Sequence, residues 1–228
     1  MSQEKRQIGR VTRSKQEART SYDKMAGYYD WMSARFEKKY RDFAVKKLDV
    51  QKGERVLEIG PGTGHGIEAF AQSVGSAGKV YGIDISEGML RVARARVARA
   101  GGAQRVALGC GDAANLPLKS NLVHAVFMSF TLELFDTPEI PAVLGECYRV
   151  LQHGGRLVVL TMAKTDPPNV MTRLYEWAHD RFPKAIDCRP IRAQGAIQEA
   201  GFELVERTTH SLFTIPLDIL VARKAKTT

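Results

Sequence analysis

The sequence predicts an α/β protein built on an open, doubly wound sheet with helices on both faces, and three observations lead there. Short apolar runs alternate with amphipathic stretches from Arg55 to Met162, the pattern of parallel strands joined by crossover helices. Arg156 to Met162 is apolar nearly throughout, as a strand covered on both faces must be. The first run, Arg55 to Ile59, opens directly into Gly60, Gly62 and Gly64, a strand-to-helix loop where a backbone can lie close to a ligand. With 228 residues the chain fills one such domain, and a second would be cramped.

The elements follow in order. Residues 1–20 read as a flexible basic arm. Ser21 to Leu48 reads as one or two helices, with Tyr22, Met25, Tyr28, Tyr29, Met32 and Phe36 recurring at spacings of three and four. After the strand Arg55–Ile59, a helix continues from Gly66 to Val74, and Gly75, Ser76 and Gly78 end it. Lys79 to Asp84 is the second strand. Ser86 caps the next helix and Glu87 complements its positive end, with Met89, Leu90, Ala93 and Val97 on the inner face. Arg105–Gly109 and Ala125–Phe130 are further strands, Thr137 to Leu151 is a helix, and the turn His153–Gly155 releases the strand Arg156–Met162. Prolines punctuate Lys164 to Arg189, a helix follows near Ile191–Ala200, and strands Phe202–Thr209 and Pro216–Arg223 close the sheet.

The net charge of +9 matters less than its location. Lys5, Arg6, Arg10, Arg13, Lys15 and Arg19 stud the arm, and Arg35, Lys38, Lys39, Arg41, Lys46, Lys47 and Lys52 follow before the first strand. A solvated arm and a basic helix face account for this with no partner; anionic lipid, an acidic substrate or RNA stay open. The scarcity of aromatics among the first basic residues argues against single-stranded RNA. No apolar run reaches the roughly 18 residues of a membrane span and the start lacks a hydrophobic signal core, so a soluble, cytoplasmic protein is expected. Cys110, Cys147 and Cys188 are widely spaced, which points to reduced structural thiols and no metal.

The glycine loop admits several ligands. A dinucleotide fingerprint needs a glycine where His65 stands, and a phosphate-binding loop needs a Gly-Lys-Ser/Thr ending that occurs nowhere. Glu58 precedes the loop by two residues, Asp84 ends the second strand where a carboxylate can grip a ribose diol, and Asp112 follows the third. Right-handed crossovers place all three strand ends on one edge. Together VLEIGPGTG, Asp84 and GDAANLPL resemble the class I S-adenosylmethionine-dependent methyltransferases, and YDKMAGYYDWM is similar to the N-terminal lid of the ubiquinone/menaquinone C-methyltransferases among them.

The resemblance implies a Rossmann-like seven-stranded sheet, mostly parallel with the last strand antiparallel, in a single domain over 21–228. It also implies a helical lid at 21–50, a substrate-covering insert at 164–189, and S-adenosyl-L-methionine as cofactor. Carried over residue by residue, Gly60, Pro61, Gly62 and Gly64 form the cofactor loop behind Glu58, and Asp84 holds the ribose. Ile85 and Met89 contact adenine, Asp112 with Ala113 meets its amino group, Ser129 offers a carbonyl to the methionine moiety, and Tyr22 or Tyr29 closes the lid.

Methyl transfer from a sulfonium needs alignment and exclusion of water more than it needs a catalytic side chain. His65, His124, His153, His179 and His210 are the available bases; His65 faces the ligand edge and His179 lies in the insert, and the sequence assigns neither. SFTLELF, Ser129 to Phe135, departs from the glycine- and asparagine-bearing segment of quinone C-methyltransferases, while RFPKAIDCRPI is similar to methyltransferases of quinone or phospholipid type. The acceptor expected is therefore a small or lipid-like molecule, with Val170, Met171, Leu174, Tyr175, Trp177 and Phe182 as possible pocket walls. An RNA acceptor held by the arm and a non-catalytic cofactor-binding module remain the alternatives.

Overall fold

The computed structural model describes residues 10–11, 13–27, 29–168, 170–181 and 188–226, without the side chains of 29–36 and 180. In chain order the elements are α1 (Lys15–Met25), α2 (Tyr29–Leu48), β1 (Arg55–Ile59), α3 (His65–Ser73), β2 (Lys79–Asp84), α4 (Glu87–Arg99) and β3 (Val106–Cys110). They continue as β4 (Val123–Ser129), α5 (Ile140–Val150), β5 (Leu151–Met162), α6 (Val170–Arg181), α7 (Ala193–Glu199), β6 (Glu203–Leu212) and β7 (Ile215–Arg223).

The strands form one sheet in the order β3-β2-β1-β4-β5-β7-β6. β7 alone runs opposite to the other six strands, pairing antiparallel with both β5 and β6, as expected for this fold class. The chain winds outward from β1 to β3 and then returns to β4 on the other side of β1, so the order reverses between β1 and β4. A crevice opens at the carboxyl ends of strands flanking such a reversal. Register keeps those ends level: Ile59 pairs with Ile83 of β2 and with Met128 of β4.

Both faces of the central strands β1, β4, β5 and β7 are buried, which explains their apolar runs. Side chains alternate across the sheet, so Leu57, Val126, Leu157 and Val159 join α5 and α7 through Leu144 and Ile197, while Val56, Phe127 and Val158 join α3 through Ile67 and Phe70. Phe70 meets Phe127 edge to face at 5.2 Å. Ala44 and Leu48 of α2 enter the second layer, so the end of the segment expected as a lid is a core helix.

Two expectations change. The arm expected over 1–20 is helical from Lys15, because Ser14 and Glu17 form a reciprocal capping box: the Ser14 hydroxyl accepts from the Glu17 N–H at 3.2 Å, and the Glu17 carboxylate accepts from the Ser14 N–H at 2.9 Å. The turn at His153–Gly155 does not precede β5 but lies inside it. The chain beyond β7 pairs on there, Gly154 donating to the Lys224 carbonyl and Lys224 to that of Gly155, and this flattens the turn into a bulge. Among the described residues no helix is long and apolar enough to cross a membrane.

Candidate functional site

The crevice at the strand reversal is walled by the ends of β1, β2 and β4, the loop after β3, and α1. Its empty space, open side included, is about 1180 Å³. Of the loop residues expected to bind cofactor, Gly60 and Gly62 line it. Gly62 has φ +53°, a value that favours glycine, and a side chain built there would enter open space. Gly64, with φ +87°, serves another purpose. It caps α3, and a Cβ on it would lie 2.7 Å from that of Ala93, so its bare backbone lets α3 approach α4. Neither Gly64 nor Pro61 lines the crevice; the Pro61 carbonyl accepts from the Gly64 N–H at 2.9 Å and closes the turn.

Glu58 is also absent from the lining. It is buried under the first turn of α3, where a methyl added to Gly66 would fall 2.3 Å from its Oε1. Burial pushes its carboxyl up to about 8, against the opposing pull of Arg41 and a hydrogen bond from the Ile67 N–H, and Oε2 has no hydrogen-bond partner. Its position beneath a helix N-terminus suits a negative charge, but burial outweighs that attraction.

Asp84 is where the sequence placed it. Its Oδ2 accepts from the Gly62 N–H at 3.1 Å and its Oδ1 from the Ser86 N–H at 2.9 Å, which ties the glycine loop to the start of α4. Burial raises its carboxyl above the ordinary value despite these bonds. Ile85 and Met89 follow it along the wall, and Ser129 ends β4 opposite. Asp112 and Ala113 form the far end. Burial opposes the Asp112 charge, but the Lys15 ammonium at 2.6 Å and the Ala114 N–H at 3.0 Å leave its carboxyl below the ordinary value.

The N-terminal segment closes over this row. Lys15 bridges Asp112 to Glu139, at 2.6 and 2.7 Å. Arg10 grips Asp136 with Nε and Nη2, and the Val11 N–H donates to the same carboxylate at 3.1 Å. Further along α1, Asp23 accepts from the Ser86 hydroxyl at 2.7 Å and the Gly88 N–H at 2.8 Å, which docks α1 on the N-terminus of α4. Tyr22 faces the crevice; the Tyr29 side chain lies outside the described residues.

Sequence reasoning missed Thr131, Asp136 and Glu139, which also line the crevice. The capping box was readable at Ser14–Glu17, but pairs such as Arg10 with Asp136, 126 residues apart in sequence, leave no local signal. Glu133, in the turn after Thr131, is fully buried, binds the Thr161 hydroxyl at 2.8 Å and has its carboxyl pushed up to about 7 by burial. Of the five histidines, only His179 lines the crevice. His124 accepts from the Arg55 N–H at 3.0 Å and so serves the sheet, and His210 packs on Tyr40 and Phe43. The expected apolar wall is turned the other way: Val170, Met171, Leu174 and Trp177 are exposed, Tyr175 packs half-buried against the core, and Phe182 lies outside the described residues.

Comparison with known proteins gives one family. The model of the ubiE/COQ5 methyltransferase family matches residues 2–187. A demethylmenaquinone methyltransferase of Symbiobacterium thermophilum is 37% identical over 154 residues, 65% of this chain and 60% of that protein's length. A ubiquinone/menaquinone biosynthesis C-methyltransferase of Burkholderia vietnamiensis is 36% identical over 174 residues, 74% of this chain and 69% of that protein's length. Among solved structures, the [4+2]-cyclase SpnF superposes with a TM-score of 0.79 at 19% identity, covering 96% of this chain and 99% of its own. That likeness concerns the fold alone, since one scaffold carries more than one chemistry.

Proposed function

The chain belongs to the ubiE/COQ5 methyltransferase family, and from that premise we propose that it transfers a methyl group from S-adenosyl-L-methionine to a small, lipid-like acceptor of quinol type. The observation that carries the reading is the convergence of Gly62, Asp84 and Asp112, from three separate strand ends, on one crevice. The acceptor class is supported by the relatives, which are named for demethylmenaquinone and for ubiquinone/menaquinone synthesis.

The residues present fit the cofactor. The Asp84 carboxylate, pre-oriented by two N–H groups, keeps acceptor capacity for two ribose hydroxyls. Ile85, Met89 and Ala113 supply apolar surface for adenine, and Asp112 an acceptor for its amino group. The open side of Gly62 leaves room for the main chain to meet the ligand closely. When bound, the cofactor supplies a methyl on a positively charged sulfur, an electrophile with a good leaving group. The protein's task is to hold the acceptor in line, keep water out and receive a proton. Tyr22 and α1 cover the site from one side, and His179 is the side chain we assign to the proton.

An acceptor made of RNA finds less support, because two cations of the basic segment are engaged within the molecule, Arg10 by Asp136 and Lys15 by Asp112 and Glu139. The experiment is transfer of labelled methyl from the cofactor into a lipid extract, with mass spectrometry of the product. A labelled organic-soluble product is expected. Label recovered only in RNA, or nowhere, would reject the reading.

A further inference from the structure

Helix α6 is built inside out. At about 100° per residue, Trp177, Val170 and Leu174 share one side of the helix and Thr172 and His179 the opposite one. A helix that merely roofed the crevice would turn the first group inward. Instead Thr172 and His179 are buried, while Val170 is 83% exposed, Leu174 54% and Trp177 59%, with Met171 exposed beside them. Arg173 is exposed at the margin of the apolar stripe and Arg181 at its carboxyl-terminal end, and Glu176 is paired with Lys164 at 3.1 Å.

A second apolar projection stands on the same edge of the sheet. Because β7 runs against β5, its first residues lie beside the end of β5: Leu217 pairs with Met162, and the Ala163 N–H donates to the Pro216 carbonyl at 2.8 Å. The turn just before β7 therefore belongs to the carboxyl edge, where the crevice opens, and it carries Phe213, 64% exposed. Large apolar and aromatic side chains flanked by arginines are what an interfacial helix presents to a membrane.

We propose that this edge, through the outer face of α6 and the Phe213 turn, docks on the surface of an anionic lipid bilayer and so sets the crevice beside its acceptor. Charge complementarity selects that occupant: Arg173 and Arg181 are exposed on the same helix as the apolar stripe, and anionic lipid attracts juxtaposed basic residues. A second copy packed two-fold on this face would bring Arg173 and Arg181 toward their own equivalents. One stripe on a helix of 12 residues is also small against the roughly 800 Å² that each partner of a stable protein complex buries. The purpose of docking rests on the lipid-like acceptor proposed above, but the docking itself is read from the surface.

The test is co-sedimentation of the full chain with vesicles of phosphatidylcholine containing phosphatidylglycerol, and with phosphatidylcholine alone. Binding to the anionic vesicles is expected, weakened in high salt and reduced at least tenfold by Leu174→Glu or Val170→Glu. In a Trp31→Phe background, Trp177 emission should shift to the blue on binding. Leu174→Glu should leave the affinity for S-adenosylhomocysteine unchanged. Absence of binding to anionic vesicles, or equal binding by the glutamate variants, would overturn the proposal. So would self-association of the parent that Leu174→Glu abolishes, since the face would then belong to a second copy. Failure of the methyltransferase reading has a different signature: vesicle binding intact, with no affinity for S-adenosylhomocysteine.

Discussion

The floor of the crevice and its covers are built by different physics. The floor is main chain and apolar core: glycines, strand ends held level by register, and Asp84 bound to backbone N–H groups. The covers are side-chain constructions, α1 latched by Lys15 and Asp23 and α6 seated on Thr172 and His179. Backbone geometry resists salt and pH, whereas exposed ion pairs are screened and weak. Changes to the floor should therefore cost much, and changes to a latch little.

The sharpest contrast lies within the glycine loop. Gly64→Ala places a methyl 2.7 Å from the Ala93 Cβ at a φ of +87°, and overpacking plus left-handed strain should lower stability by roughly 3 kcal/mol. Gly62→Ala meets only the strain of its φ, so about 1 kcal/mol is expected. Urea titration of both variants checks the order; equal losses would break the distinction drawn between the two glycines.

His179→Gln separates the covers by chemistry. Turnover should fall by about 10²-fold, with affinity for S-adenosylhomocysteine unchanged. Steady-state rates and calorimetry read the two quantities, and a variant that turns over normally would leave α6 a purely structural cover.

Glu58 brings pH into the floor. Its carboxyl, raised by burial from 4.5 to about 8, stays protonated in the folded protein where the unfolded chain has released its proton. This contribution is thus fully present below pH 4.5 and is lost as pH rises toward 8. Glu58→Gln removes the titration, and its stability should decline less than the parent's between pH 5 and pH 8.5, by on the order of a few kcal/mol at most. Parallel pH profiles in chemical denaturation would show instead that Glu58 is ionised in the fold.

The smallest effect belongs to the α1 latch. Both Lys15 and Asp112 are partly exposed, so Lys15→Ala should weaken S-adenosylhomocysteine binding by about twofold to fivefold in low salt. The difference should vanish as salt is raised. A larger, salt-independent loss would move Lys15 from the cover to the floor.

This division also marks what could be read from the sequence. The floor was legible because its signals are local: an apolar run into glycines, an acid at a strand end, and alternation that fixes the sheet. The covers were not. The charge of Lys15 and Arg19 suggested a solvated arm, although Ser14 and Glu17 already spelled a helix start. The insert was read for its apolar residues alone, with neither a helix nor a direction assigned to them, so side chains expected to wall a pocket look outward from α6. Glu58 was placed near the ligand by its motif, and only three-dimensional packing shows it under α3.

The central claim is that the open side of Gly62 faces a bound adenosyl group. Calorimetric titration of S-adenosylhomocysteine into the parent and into Gly62→Arg tests it directly, because a side chain at this position meets space rather than protein. Binding by the parent and its loss in a variant that still unfolds cooperatively is the predicted result. Equal affinity in the two proteins would contradict the account.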